Sequence, residues 1–190
     1  MVLGLTEQRS RQGQTIPASL YIILYNCLFW RPLMVTILKK FIEEYIDLIE
    51  AKDWRTLYNH AYEEIPFQVG NLTTNLMHAG INPLDDLDVV LPEMFLESMI
   101  QNIELPVQIA VIKRQAFMNC YELREVTLPP ALLRIDAGAF ANCYELHTIR
   151  YPGTMKHLKM SFPNWEHFSK LFDDCSTAFI YCTDGEVELL

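Results

Sequence analysis

The sequence predicts an α/β fold: a short solenoid with a parallel strand ladder, capped by an N-terminal helical domain. Three observations carry this. Residues Ile112–Leu123 and Ile135–Leu146 spell nearly the same string at an offset of 23 positions. Short alternating segments ending in proline recur on the same grid. Residues 34–84 instead show the i, i+3, i+4 spacing of amphipathic helices.

The repeat is the most informative stretch. Ile112, Ala116, Phe117, Asn119, Cys120, Tyr121, Glu122 and Leu123 are matched by Ile135, Ala139, Phe140, Asn142, Cys143, Tyr144, Glu145 and Leu146. With the closing prolines, nine of 18 positions agree between the units opening at 112 and 135. Ile103-x-Leu105-Pro106, Val126-x-Leu128-Pro129 and Ile149-x-Tyr151-Pro152 fall on the same grid, as do Val89, Ile112, Ile135 and Leu158. A period of roughly 20–50 residues marks units that bury their apolar faces only against their neighbours. Alternation in Leu123-x-x-Val126-x-Leu128 and Leu146-x-x-Ile149-x-Tyr151 predicts short strands with one face inward. Proline then ends each strand, because it has no N–H for a ladder. Successive strands stack in parallel, about 4.8 Å apart. The Ala-Phe segments turn the chain and drop Phe117 and Phe140 into the interior. Cys120 and Cys143 share the period and are expected to stack as buried, reduced thiols.

The unit Ile-x-x-x-Ala-Phe-x-x-Cys-x-x-Leu-x-x-[VI]-x-[LY]-Pro resembles the BspA-like leucine-rich repeats, over about residues 89–185. The tail Ile180–Gly185 resembles the strand and turn that close such arrays. The resemblance implies a short leucine-rich-repeat solenoid that acts as a binding or structural module rather than a catalyst. It also implies partner binding on the strand ladder. Larger members are often cell-surface adhesion proteins, but this chain has far fewer repeats. Phe162 and Pro163 stand where the pattern has Ala and Phe, so the array is expected to end after Leu158.

In chain order, residues 1–33 read as an N-terminal extension. Arg9 and Arg11 precede an apolar run from Ile16 to Trp30. The run has 15 residues, short of the roughly 20 that span a bilayer, and Asn26 interrupts it. No small-x-small cleavage site follows Trp30. Three readings stay open: a disordered or loosely packed extension, a membrane anchor over residues 16–38, or translation from Met34.

Residues 34–84 form an acidic helical domain. The first helix places Leu38, Phe41, Ile42, Tyr45, Ile46 and Ile49 on one face, and Glu43, Glu44, Asp47 and Glu50 on the other. Asp53 caps a second helix, Trp54–Glu64, with Trp54, Leu57, Tyr58 and Ala61 inward. Pro66 breaks the chain. A third helix, Val69–Ala79, carries Leu72, Leu76 and Met77, and Gly80 takes the left-handed position after it. These helices are expected to cover the first edge of the array, because open solenoid ends expose core and unpaired strand. Residues 85–158 hold the repeats, with a fourth helix from Pro92 to about Met99 in a degenerate first unit. Residues 159–190 form the C-terminal cap. There a helix started by Ser161 or by Pro163-Asn164 carries Trp165, Phe168, Leu171 and Phe172. A strand Ala178–Cys182, a turn at Asp184-Gly185 and a return through Val187 follow.

Half of the chain is apolar, which suits a packed core. The net charge of −9 divides as +4 over residues 1–40, −11 over 41–106, +3 over 107–170 and −5 over 171–190. An acidic block beside a mildly basic one argues against nucleic-acid binding. Five cysteines without a C-x-x-C or Cys/His pattern argue against zinc. Cys175 and Cys182 are close enough in sequence to pair, but reduced thiols and a cytoplasmic setting fit best, with the cell surface or a membrane as the alternative. His60, His78, His147, His157 and His167 show no metal spacing. Cys143 and His147 are neighbours, but the repeat turns the thiol inward. Asp85, Asp86 and Asp88 lack the glycine and distal glutamate of a calcium loop. No glycine-rich phosphate loop and no G-x-S-x-G elbow is present. No catalytic residue, metal ligand or cofactor is expected.

The outward positions of the ladder are Asn102, Glu104, Glu125, Thr127, Thr148 and Arg150. Tyr121 and Tyr144 follow the buried thiols, one above the other, where they either meet a partner or cover the neighbouring coil. Three strands span about 10 Å, short of a standard interface of about 800 Å² per partner. The expectation is a non-enzymatic protein-binding module; the alternative is a surface protein tethered through residues 16–38. Neither the partner nor the oligomeric state is written in the sequence.

Overall fold

The computed structural model describes residues 32–164, 167–168, 170–172, 175–176 and 179–189, with 32–35 by backbone alone. The chain divides into two compact units, one up to Asn82 and one from Pro83 onward.

In the first unit the helices are α1 (Pro32–Glu44), α2 (Ile46–Glu50), α3 (Trp54–Glu64) and α4 (Val69–His78). The apolar stripe is where the spacing puts it: Leu38, Phe41, Ile42, Ile46 and Ile49 are buried. The single helix expected there is two, because Tyr45 leaves helical geometry at φ −108° and ψ 24°. Tyr45 is also tied to α3: its ring lies 4.5 Å from that of His60, and its hydroxyl donates to Glu64. Asp53 caps α3, its Oδ1 accepting from Thr56 N at 3.3 Å. Trp54, Leu57, Tyr58 and Ala61 are all buried, as their stripe predicts. The Tyr58 hydroxyl meets Thr73 Oγ1 of α4 at 2.5 Å, which satisfies both buried groups. Gly80 ends α4 at φ +79°. Gly80 N then bonds Met77 O and Ile81 N bonds Leu76 O, the paired bonds of a Schellman cap.

The second unit is built of rungs. Among the described residues its strands are β1 (Val89–Val90), β2 (Asn102–Glu104), β3 (Val111–Ile112), β4 (Glu125–Thr127), β5 (Arg134–Ile135), β6 (Thr148–Arg150), β7 (Phe179–Cys182) and β8 (Gly185–Glu188). They form a shorter ladder, β1-β3-β5, and a longer one, β2-β4-β6-β7-β8. All pairings are parallel except the closing β7–β8 hairpin. Ile103, Val126, Ile149 and Ile180 stand in one register, and so do Val90, Ile112 and Ile135.

The columns between the ladders make the core. Phe95, Phe117, Phe140 and Phe172 stack with ring centroids 4.8, 5.1 and 5.2 Å apart. Each such pair contributes about 0.5–1.5 kcal/mol beyond its buried area. Cys120 Sγ donates to Phe95 O at 2.9 Å, and Cys143 Sγ to Phe117 O at 3.1 Å. Cys175 repeats the contact on Phe140 O at 3.7 Å. The turns of Phe95, Phe117 and Phe140 are each bracketed by two left-handed residues: Glu93 and Glu97, Gln115 and Asn119, Gly138 and Asn142.

Several expectations are corrected here. Val90, not Val89, pairs with Ile112, because the first rung is one residue shorter between Ser98 and Ile103. The helix expected from Pro92 to Met99 is a turn, since a right-handed helix cannot hold Glu93 at φ +54° and Glu97 at φ +55°. Leu158 lies on no strand; it is the buried residue of a helix, α5 (Met155–Ser161), which the sequence pattern did not announce. Ser161 ends α5 rather than starting the next helix; Asn164 serves that role, its Oδ1 accepting from His167 N at 3.2 Å. Lys170–Phe172 is a short 3-10 turn. Trp165 and Ala178 lie outside the described residues, as does the apolar run Ile16–Trp30.

Candidate functional site

The longer ladder alternates as its sequence requires. Ile103, Leu105, Val126, Leu128, Ile149 and Tyr151 are buried. Between them Asn102, Glu104 and Arg150 are exposed, and Glu125, Thr127 and Thr148 are partly exposed. Register aligns Asn102, Glu125 and Thr148 in one outward row. A second row runs Glu104, Thr127, Arg150, Tyr181 and Glu186. Arg150 Nε donates to Glu125 Oε1 at 2.6 Å and ties the two rows together. Both side chains remain open to solvent, so the pair contributes only about 0–1 kcal/mol to stability. Glu104 and Glu186 sit at opposite ends of the second row, which leaves the face acidic.

Tyr181 and Glu186 are outward residues of this face that the sequence reading missed. The signal was there: in Ile180-Tyr181-Cys182 the alternation turns Tyr181 outward once Ile180 is matched to Ile149. Their addition lengthens the face. Five strands span about 19 Å, against the 10 Å expected from three.

Tyr121 and Tyr144 form a separate feature. They are 51% and 54% exposed and stack on one another with centroids 6.0 Å apart. The Tyr144 hydroxyl donates to Asn142 Oδ1 at 2.8 Å. Asn142 Nδ2 donates in turn to Asn119 Oδ1 at 2.8 Å. Ser176 Oγ donates to the Tyr144 carbonyl. Left-handed asparagines, which adopt that conformation more readily than other side chains with a Cβ, thus hold the Tyr144 ring in place. Each tyrosine lies four residues before the first outward residue of its strand, Glu125 or Thr148.

The thiols face the other way. Cys120 and Cys143 are fully buried, and burial pushes the Cys120 thiol well above its ordinary range. A protonated thiol bonded to a carbonyl is no nucleophile. His147 Nδ1 pairs with Thr148 Oγ1 at 2.9 Å on the outer surface, away from any thiol role. Among the described residues no group of three or more His, Cys, Asp or Glu could hold a metal ion. No described helix is long and apolar enough to cross a membrane. Of the anchor reading over residues 16–38, residues 16–31 lie outside the described residues and the remainder belongs to α1.

No curated protein and no solved structure matches the chain. The family model of the BspA type leucine-rich repeat region, a model of six copies, matches residues 81–182. The match spans more than half of the chain and takes in β1 through β7. The chain therefore belongs to the BspA type leucine-rich repeat family.

Proposed function

We propose that the repeat unit is a non-enzymatic protein-binding module that meets its partner on the outer face of the longer ladder and on the Tyr121–Tyr144 stack. The observation that carries this reading is the tyrosine pair. Two large rings are held half-exposed and stacked on each other, Tyr144 oriented by its hydrogen bond to Asn142 and Tyr121 by the stack, at little entropic cost to a binding event. Tyrosine is enriched in interface cores for this combination of apolar area and hydroxyl. Glu104, Glu125 and Glu186 against Arg150 favour a partner with basic side chains. In this reading the chain is a short leucine-rich-repeat solenoid, with Asn102, Thr127, Thr148 and Tyr181 as its polar contacts.

The test is a capture experiment from the native cell with the full chain and with the double variant Tyr121→Ser/Tyr144→Ser. The expected result is a protein retained by the native chain and lost by the variant, with Tm changed by no more than a few degrees. A large drop in Tm would instead assign the rings to covering the fold. The proposal includes a cytoplasmic setting, which the odd cysteine count favours and fractionation of the native cell tests. It also keeps residues 34–84 as a helical cap; a chain starting at Pro83 should then aggregate where the full chain does not.

A further inference from the structure

Among the described residues the shorter ladder has three strands where the longer one has five. Beyond β6 the longer ladder continues into β7 and is closed by β8. Beyond β5 no strand follows among the described residues. The 23-residue grid would put the next short strand at 157–158, but those residues belong to α5. The bonding pattern shows what is left open. Just before β3, Ala110 O accepts from Leu133 N at 2.8 Å, and on it Ile112 O accepts from Asp136 N at 2.8 Å. The equivalent carbonyls one rung later are those of Leu133 and Ile135, and no following strand meets them among the described residues. A cavity of about 350 Å³ runs along this segment, with Leu133–Ala137 on one wall and Phe162, Pro163, His167 and Leu171 on the other. That is within the range of clefts that enclose a ligand.

We propose that this groove accepts one extended peptide from a partner protein, which adds a fourth, parallel strand to β1-β3-β5. The register defines the guest. The residue aligned with Ile135 continues the Val90–Ile112–Ile135 column and is a β-branched aliphatic. The residue before it lies beside Arg134 and is acidic. The Arg134 side chain is 57% exposed and holds Asp136 through Nε at 2.9 Å. A guanidinium has five donors, so the others remain for a guest carboxylate. Main-chain bonds supply affinity and the two side chains supply selectivity, as in other strand additions. A second copy pairing on the same edge in the register centred on Arg134 would bring Arg134 against Arg134, which disfavours that self-pairing. The site is separate from the tyrosine face and does not depend on it.

The probe is a fluorescent hexapeptide, Ser-Ser-Glu-Ile-Ser-Ser, titrated into the full chain and read by anisotropy. Saturable binding is expected. Arg134→Glu should weaken it about tenfold, and replacing the peptide's Glu by Lys should restore binding to that variant. N-methylation of the serine after Ile removes the N–H that would reach Ile135 O and should abolish binding to the native chain. Three results would overturn the proposal: no saturation up to millimolar peptide, equal binding of the N-methylated peptide, or sedimentation showing a self-associated chain that Arg134→Glu turns monomeric.

Discussion

The two ladders of the repeat unit are made by the same rungs, yet they end differently. The longer ladder is sealed by a hairpin whose edge strand carries Glu186 and Glu188, charges that discourage further pairing. The shorter ladder has two-residue strands and stops at β5 beside an open groove. A repeat thus dictates the interior of an array but not its ends. The register between Ile149 and Ile180 is 31 residues where the period is 23, and the extra chain forms α5 and the turns after it. Closing one ladder used the residues that would have extended the other.

The largest expected effect erases the contrast. Phe117 stacks on a ring in the rung on either side, so Phe117→Ala should cost about 3–5 kcal/mol and loosen both ladders together. Urea unfolding with far-ultraviolet circular dichroism measures it. Ile180→Ala should sharpen the contrast: about 2–5 kcal/mol lost from the seal of the longer ladder. Hydrogen exchange should then show β6–β8 losing protection before β1, β3 and β5. A smaller effect is expected at Gly138, whose φ of +69° suits glycine while its surroundings leave room for a Cβ. Gly138→Ala should cost about 1–2 kcal/mol through backbone strain alone. The smallest belongs to Arg150→Ala, at most about 1 kcal/mol and less at high salt, measured by the shift in thermal midpoint.

The interior of the rungs was legible in the sequence because the period repeats every contact. Once Ile112 and Ile135 are matched, the partners of Phe117, Cys120 and Val126 follow by counting. Places where the count breaks were not legible. One missing residue between Ser98 and Ile103 moves the pairing from Val89 to Val90, and a single degenerate unit does not reveal where its gap falls. Pro92 invited a helix by its own preference, but the bonds of Phe95 N to Ala116 O and Glu97 N to Met118 O impose the turn of the neighbouring rung. α5 escaped notice because only Leu158 in it is fully buried, so no stripe marks it; its caps are Thr154, and Asp184, whose Oδ1 accepts from Met155 N at 2.8 Å. The break at Tyr45 is set by contacts with residues of α3, which no local window contains. Of the candidate site, all eight residues lie at least partly open to solvent; Tyr181 was overlooked because its strand lies off the 23-residue grid.

The sulfhydryl column has a practical consequence. Each thiol touches the carbonyl of the preceding rung: Cys120 at Phe95, Cys143 at Phe117, Cys175 at Phe140. Cys120 and Cys143 are fully buried, so each becomes accessible to an alkylating reagent only when its own junction parts, whereas Cys175 is partly open from the start. Mass-resolved labelling of the two buried thiols over time would therefore time the separation of the Phe95 and Phe117 junctions individually, and the native molecule carries these reporters without any engineered tag.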